Sequence, residues 1–101
     1  MGDGCRLEAL GPGHYALAGD LGIDAAAAVL ARGESEFAGQ ARVEVDLAGV
    51  SDADSAGLAV LIEWTRAARL AGRSIAYRSM PARLAALARI GGVSELLPRS
   101  D

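Results

Sequence analysis

The chain has 101 residues with a net charge of −3, and all ten of its basic side chains are arginines, scattered among thirteen acids. No basic stripe exists to neutralise phosphates, so nucleic acid is excluded as a partner. Half of the residues are apolar, enough for the core of one domain over residues 1–101, and no apolar run approaches the roughly 20 residues of a membrane span. The single cysteine, Cys5, excludes an internal disulfide and fits a reducing compartment. With no basic-then-apolar leader pattern at the N-terminus, the expected location is the cytoplasm.

Residues 1–5 are expected to fray. Arg6–Leu10 and His14–Ala18 flank Gly11-Pro12-Gly13 and predict a β-hairpin. Residues 19–23 read as a connection, Asp24 as an N-cap, and Ala25 to about Arg32 as a helix of high intrinsic propensity that Gly33 ends or weakens. Residues 34–40 read either as a last helical turn or as a loop. In 41–47, Val43, Val45 and Leu47 alternate with Arg42, Glu44 and Asp46, which predicts the central strand. Residues 48–54 form a loop in this reading, and a helix runs from about Ser55 to Ala71. A short strand, 74–78, precedes a helix that starts near Pro81, carries Leu84, Leu87 and Ala88, and closes at Gly91-Gly92. Val93 to Leu97 reads as a short turn stopped by Pro98. The resulting order, β-β-α-β-α-β-α, predicts an α/β fold: a small mixed sheet with helices on one face and right-handed crossovers.

The helix from Ser55 carries two apolar stripes. Leu58, Leu61, Ile62 and Thr65 form one, the natural core face; Val60, Trp64, Ala67 and Ala71 form a second, well round the helix from the first. A surface helix in a monomer needs only one such stripe. The second carries the chain's single Trp, a residue type enriched at interfaces, and predicts a partner-binding face at Val60 and Trp64, unless a neighbouring helix such as 81–91 covers it.

The usual catalytic constellations are missing. A serine nucleophile needs a histidine base oriented by an acid, and the only histidine, His14, sits in the first hairpin. Without lysine there is no phosphate-cradling P-loop. Asp52 and Asp54 are explained by the preference for acids at a helix N-terminus rather than by a metal. The chain therefore reads as a non-enzyme with no catalytic residue, metal or cofactor. Ser55 stands out: with Asp54 or Ser55 as N-cap, its hydroxyl lies at the positive end of a helix, where a phosphate would add nearly two negative charges.

The run Val45 to Leu61, with Asp54, Ser55, Gly57 and Leu58 at its centre, resembles the signature of the STAS domain, which is shared by anti-sigma factor antagonists and the cytoplasmic tails of sulfate transporters. The element order agrees with that fold over nearly the whole chain. The stretch from Met80 to Pro98 is similar to the stand-alone STAS subunit of the bacterial lipid-asymmetry (Mla) ABC transporter. That resemblance implies a cytoplasmic adaptor, held at the inner membrane through its partner and not inserted in the bilayer. The implied partner is the transporter's ATPase subunit and, through it, the permease, in a complex that moves phospholipids. It also implies a contact built from Asp52, Asp54, Ser55, Ala56 and Gly57, extending to Val60 and Trp64. The resemblance to the anti-sigma factor antagonists implies instead a switch by phosphorylation of Ser55, although those proteins commonly carry a second serine where this chain has Ala56.

Overall fold

The computed structural model describes residues 4–100. Two strands, β1 (Cys5–Gly11) and β2 (His14–Leu21), precede the helix α1 (Ile23–Phe37); β3 (Arg42–Ala53), α2 (Ser55–Leu70), β4 (Ser74–Arg78) and α3 (Ala82–Ile90) follow, and a 3-10 turn spans Ser94–Leu96. The element order is the expected one. Of the segment expected to fray, residues 1–3 lie outside the described residues, and Cys5 already belongs to β1.

The four strands form one sheet in the order β1-β2-β3-β4. The hairpin pair is antiparallel, and Gly13 turns it with a positive φ of 74°. The β2–β3 and β3–β4 pairs are parallel, joined by crossovers through α1 and α2. Tyr15, Val45 and Tyr77 share one row across the sheet, and all three are buried, as are Leu17, Val43, Leu47 and Ile75. The alternate residues, among them His14, Glu44, Asp46 and Arg78, point away from the helices, so the sheet is covered on one face and open on the other. The outer edge of β4 is met by the end of the chain: Tyr77 N–H donates to the Pro98 carbonyl, and Ser100 N–H donates to that of Tyr77, both at 2.9 Å.

Three elements differ from expectation: β2, β3 and α1. Strand β2 runs on to Leu21, into the expected connection. Strand β3 continues to Ala53 because residues 49–53 go on pairing with β2, through Gly19↔Val50 and Leu21↔Ala53, so only Asp54 separates strand from helix. Helix α1 is capped at Gly22 rather than Asp24, which sits exposed in its first turn. Gly33 does not end α1, which runs on to Phe37.

Gly33 stays helical because of what it faces. A Cβ at this position would stand 2.3 Å from the Trp64 indole. The indole fills that gap, its N–H donating to the Leu30 carbonyl at 3.2 Å, and its ring meets Phe37 edge-on with centroids 5.1 Å apart. Phe37 continues the chain of rings to Tyr15, centroids 5.0 Å apart, and the Tyr15 hydroxyl donates to the Glu36 carbonyl. The expected partner-binding face on α2 is therefore corrected: Val60 is 3% and Trp64 1% exposed, and the cover is α1 rather than α3. Leu58, Leu61 and Thr65 on the other stripe are buried as well, so α2 is a central helix with apolar contacts on two sides. Between it and β4, the Tyr77 hydroxyl sits 3.0 Å from that of Thr65 and 2.9 Å from the Leu61 carbonyl, which leaves this buried polar pair satisfied.

Two substitutions test the α1–α2 seam. Gly33→Ala should lower stability by about 1–3 kcal/mol through overpacking, although Ala on helix propensity alone is better by about 1 kcal/mol; urea denaturation that finds the variant more stable would reject the seam. Trp64→Arg removes the indole and buries a charge without a partner, so it should lose more than the roughly 3–5 kcal/mol of a Trp→Ala core truncation. Circular dichroism should show it largely unfolded.

Candidate functional site

Parallel strands β2 and β3 end side by side at Leu21 and Ala53, so the helices that follow them start at the same rim of the sheet. One side chain joins those two starts. Asp54 caps α2, its Oδ1 accepting from Ala56 N–H at 2.9 Å and Gly57 N–H at 3.2 Å. Its Oδ2 accepts from Ile23 N–H, the first residue of α1, at 3.1 Å. A single carboxylate thus satisfies orphan donors on two helices and sits at the positive end of both. Desolvation pushes this carboxyl upward, but the N–H groups of Ile23, Gly57 and Ala56, with the Arg83 guanidinium nearby, outweigh it and hold the group below the usual carboxylate range.

Gly57 fixes the approach from below. A Cβ there would lie 2.1 Å from the Leu21 carbonyl oxygen, a backbone atom that cannot yield, so only glycine lets α2 start this close to the end of β2. From the other side, Arg83 on α3 donates through Nε to the Ala53 carbonyl at 2.7 Å and lies 3.7 Å from Asp52 Oδ1. The last residue of β3 and its cap are held by three neighbouring elements.

On this scaffold Ser55 is the first residue of α2, exposed, and its hydroxyl has no hydrogen-bond partner among the described residues. Asp52 is exposed beside it, Asp54 and Ala56 are half-buried, and Gly57 is buried. Of the residues expected to make a contact, the structure brings Asp52, Asp54, Ser55 and Ala56 to one surface and gives Gly57 a packing role beneath them. Val60 and Trp64 lie in the core and do not extend that surface. The face of α2 that continues outward from Ser55 is Ala59, Glu63 and Arg66, with half-buried Ile62 beside them.

Two residues escaped the sequence reading. Ile23 is 73% exposed directly beside Asp54, and Arg83 overhangs the Asp52–Asp54 segment. A hint of the first exists: at the helical spacing Ile23 meets only the small side chains of Ala26 and Ala27, too short to cover it. No sequence signal places Arg83. Together with Asp20 and Asp24 these groups line an open cleft of about 800 Å³ between the starts of α1 and α2. Among the described residues no three His, Cys, Asp or Glu side chains converge as metal ligands. His14 pairs with Glu44 at 3.2 Å, far down the strands from Ser55, so no imidazole is near that hydroxyl. The Cys5 thiol at the cleft edge is pushed up to about 11, chiefly by burial, and stays protonated and unreactive at neutral pH.

A family model described as "Mlab, STAS domain" matches residues 8–98. None of the curated proteins compared matches the sequence. Among solved structures the chain is similar to the anti-sigma factor antagonist SpoIIAA in its unphosphorylated form, with a TM-score of 0.71 at 13% identity over 96% of this chain and 88% of that one. The Bacillus cell fate determinant SpoIIAA in the phosphorylated form gives 0.70 at 12% identity, over 96% and 91%. A sulfate transporter family protein from Wolinella succinogenes gives 0.69 at 17% identity, over 91% of this chain and 75% of that one. At these identities the likeness is one of fold.

The double cap has a pH signature. Because the folded-state pKa of Asp54 is depressed, its contribution is complete above the ordinary carboxylate range and is lost as pH falls through the folded pKa. Asp54→Ala should therefore unfold at lower temperature than the wild type near neutral pH, and the gap between the two should close in acid. Thermal melts at a series of pH values check this; a gap independent of pH would remove the charge from the cap.

Proposed function

The chain belongs to the STAS domain family, and we propose that it serves there as a single-domain, non-enzymatic adaptor that binds the cytoplasmic ATPase subunit of a bacterial ABC transporter for phospholipids. The observation that carries the reading is the presentation of Ser55. Its hydroxyl stands free and exposed at the start of α2, while Asp54, Gly57 and Arg83 lock the backbone around it. A rigid, small and polar knob of this kind, flanked by exposed Ile23 and Asp52, is a docking point rather than a reaction centre. The match of a model described by the name of the lipid-asymmetry STAS subunit over residues 8–98 supports the transporter branch. The contact would comprise Asp52, Ser55 and Ala56 with Ile23, and would continue along Ala59 and Glu63. No helix among the described residues is long and apolar enough to cross a membrane, so the chain would reach the inner membrane through the ATPase and permease.

A second reading has its own observation. The fold is similar to that of SpoIIAA, an anti-sigma factor antagonist solved in unphosphorylated and phosphorylated forms, and Ser55 is free to accept a phosphate. In that reading the protein is a soluble antagonist, and a phosphorylated Ser55 would place its charge against Asp52 and Asp54 and weaken the complex.

Native co-purification of the tagged protein from detergent-solubilised cells separates the two. An ABC ATPase and permease in stoichiometric yield is the expected outcome; a soluble serine kinase with no membrane protein would reject the adaptor reading in favour of the second. In either complex Ser55→Asp should weaken binding by roughly tenfold or more, since a new carboxylate beside Asp52 and Asp54 is in water in the free protein and must be desolvated at the contact, and Ser55→Ala should weaken it less. Equal affinities in a titration would reject the placement of Ser55 at the contact centre.

A further inference from the structure

The two edges of the sheet are unlike. Residues 98–100 cover part of β4, whereas β1 has β2 on one side and, among the described residues, no strand on the other. The hydrogen-bonding pattern identifies which groups β1 leaves open. Asp20 N–H donates to the Gly4 carbonyl at 2.6 Å, which makes Gly4 and Asp20 a hydrogen-bonded pair of the antiparallel ladder. Such pairs alternate, so Arg6↔Ala18 and Glu8↔Ala16 are bonded pairs too, and the N–H and C=O groups of Cys5, Leu7 and Ala9 point outward.

Two charges ride on this strand. Arg6 and Glu8 are exposed on the open face of the sheet, each opposite an alanine of β2, and neither has an ion-pair partner among the described residues. Between them lies Leu7, 5% exposed and fixed in the core, so the strand cannot slip by one residue without expelling it. A second copy of the strand, turned antiparallel with Leu7 on the dyad, meets all of these constraints. The outward groups of Leu7 then bond to those of the second copy's Leu7, and those of Cys5 to those of its Ala9. Arg6 and Glu8 fall on non-hydrogen-bonded crossings, where side chains approach most closely, so each faces one opposite charge and the dimer holds two such pairs. The register break between Ala9 and Gly11 ends the pairing where the symmetric match ends. On the helix side, Ala28, Val29 and Arg32 of α1 line a groove of about 440 Å³ along the edge, and the Arg32 side chain is turned to Glu36 of its own helix.

We propose that this chain forms a homodimer through antiparallel pairing of two β1 strands centred on Leu7, with reciprocal Arg6–Glu8 ion pairs that fix its register and symmetry. The dyad stands perpendicular to the sheet, so the two four-stranded sheets join into one and both helical layers lie on the same side. The interface uses the β1 edge and does not depend on what binds at Ser55.

Sedimentation velocity of the full chain over a concentration series tests the proposal. The wild type should show a concentration-dependent dimer. R6E and E8R each place like charges at both crossings and should raise the dimer Kd by about tenfold, with unchanged circular dichroism because both positions are exposed. Mixing R6E with E8R restores opposite charges at both crossings, so the mixture should form a heterodimer more tightly than either variant pairs with itself, and the double variant R6E/E8R should recover wild-type affinity. A wild type that stays monomeric throughout would overturn the proposal and make Arg6 and Glu8 guards of the edge. A dimer indifferent to R6E, or variants that fail to recover on mixing, would overturn the β1 register.

Discussion

The Asp54 carboxylate accepts hydrogen bonds from the first turns of two helices, and the arrangement of the molecule around this rim of the sheet depends on that bridge. Parallel strands bring two helix starts together, each with unsatisfied N–H groups and a positive dipole end. Left alone, these ends would repel and draw in water. One anion between them turns a liability into a joint and sets the angle at which α1 and α2 leave the sheet. The same angle places Gly33 against Trp64 further along the pair, so a cap at the rim and a ring packed in the interior stabilise each other.

Local signals in the sequence were enough for the element order, the hairpin turn and the alternation of the central strand, because each of these is decided within a few residues. The second apolar stripe on α2 was also legible as a stripe. What covered it was not. A helical wheel reports that a face is apolar and is silent on which element is laid over it, and Gly33, the residue that admits the indole, reads locally as a helix breaker. The same blindness hid the extension of β3, whose last residues are strand only because β2 continues beside them. At the site, Asp54, Ser55 and Gly57 were visible as a pattern, while the reach of Asp54 to Ile23 and of Arg83 to Ala53 spans 30 residues or more of sequence and belongs to the fold.

The STAS family signature acquires a division of labour from this geometry. Asp54 holds, Gly57 permits close approach, and of these three Ser55 is the one whose side chain stays exposed and unengaged among the described residues. A contact built in this way gains affinity from rigidity, since the backbone around the hydroxyl is already fixed before a partner arrives. A charge added to Ser55 would land between fixed acids on one side and helix N–H groups on the other.

The burial of Trp64 gives the protein a built-in optical gauge. Its indole is the only one in the chain, it is sealed between α1 and α2, and its N–H is committed to the Leu30 carbonyl. Fluorescence from this ring reports the helix seam and nothing else, without labels or added dyes. Because the seam and the Asp54 joint share the same two helices, a molecule that moved the rim would shift the emission of a residue it never touched.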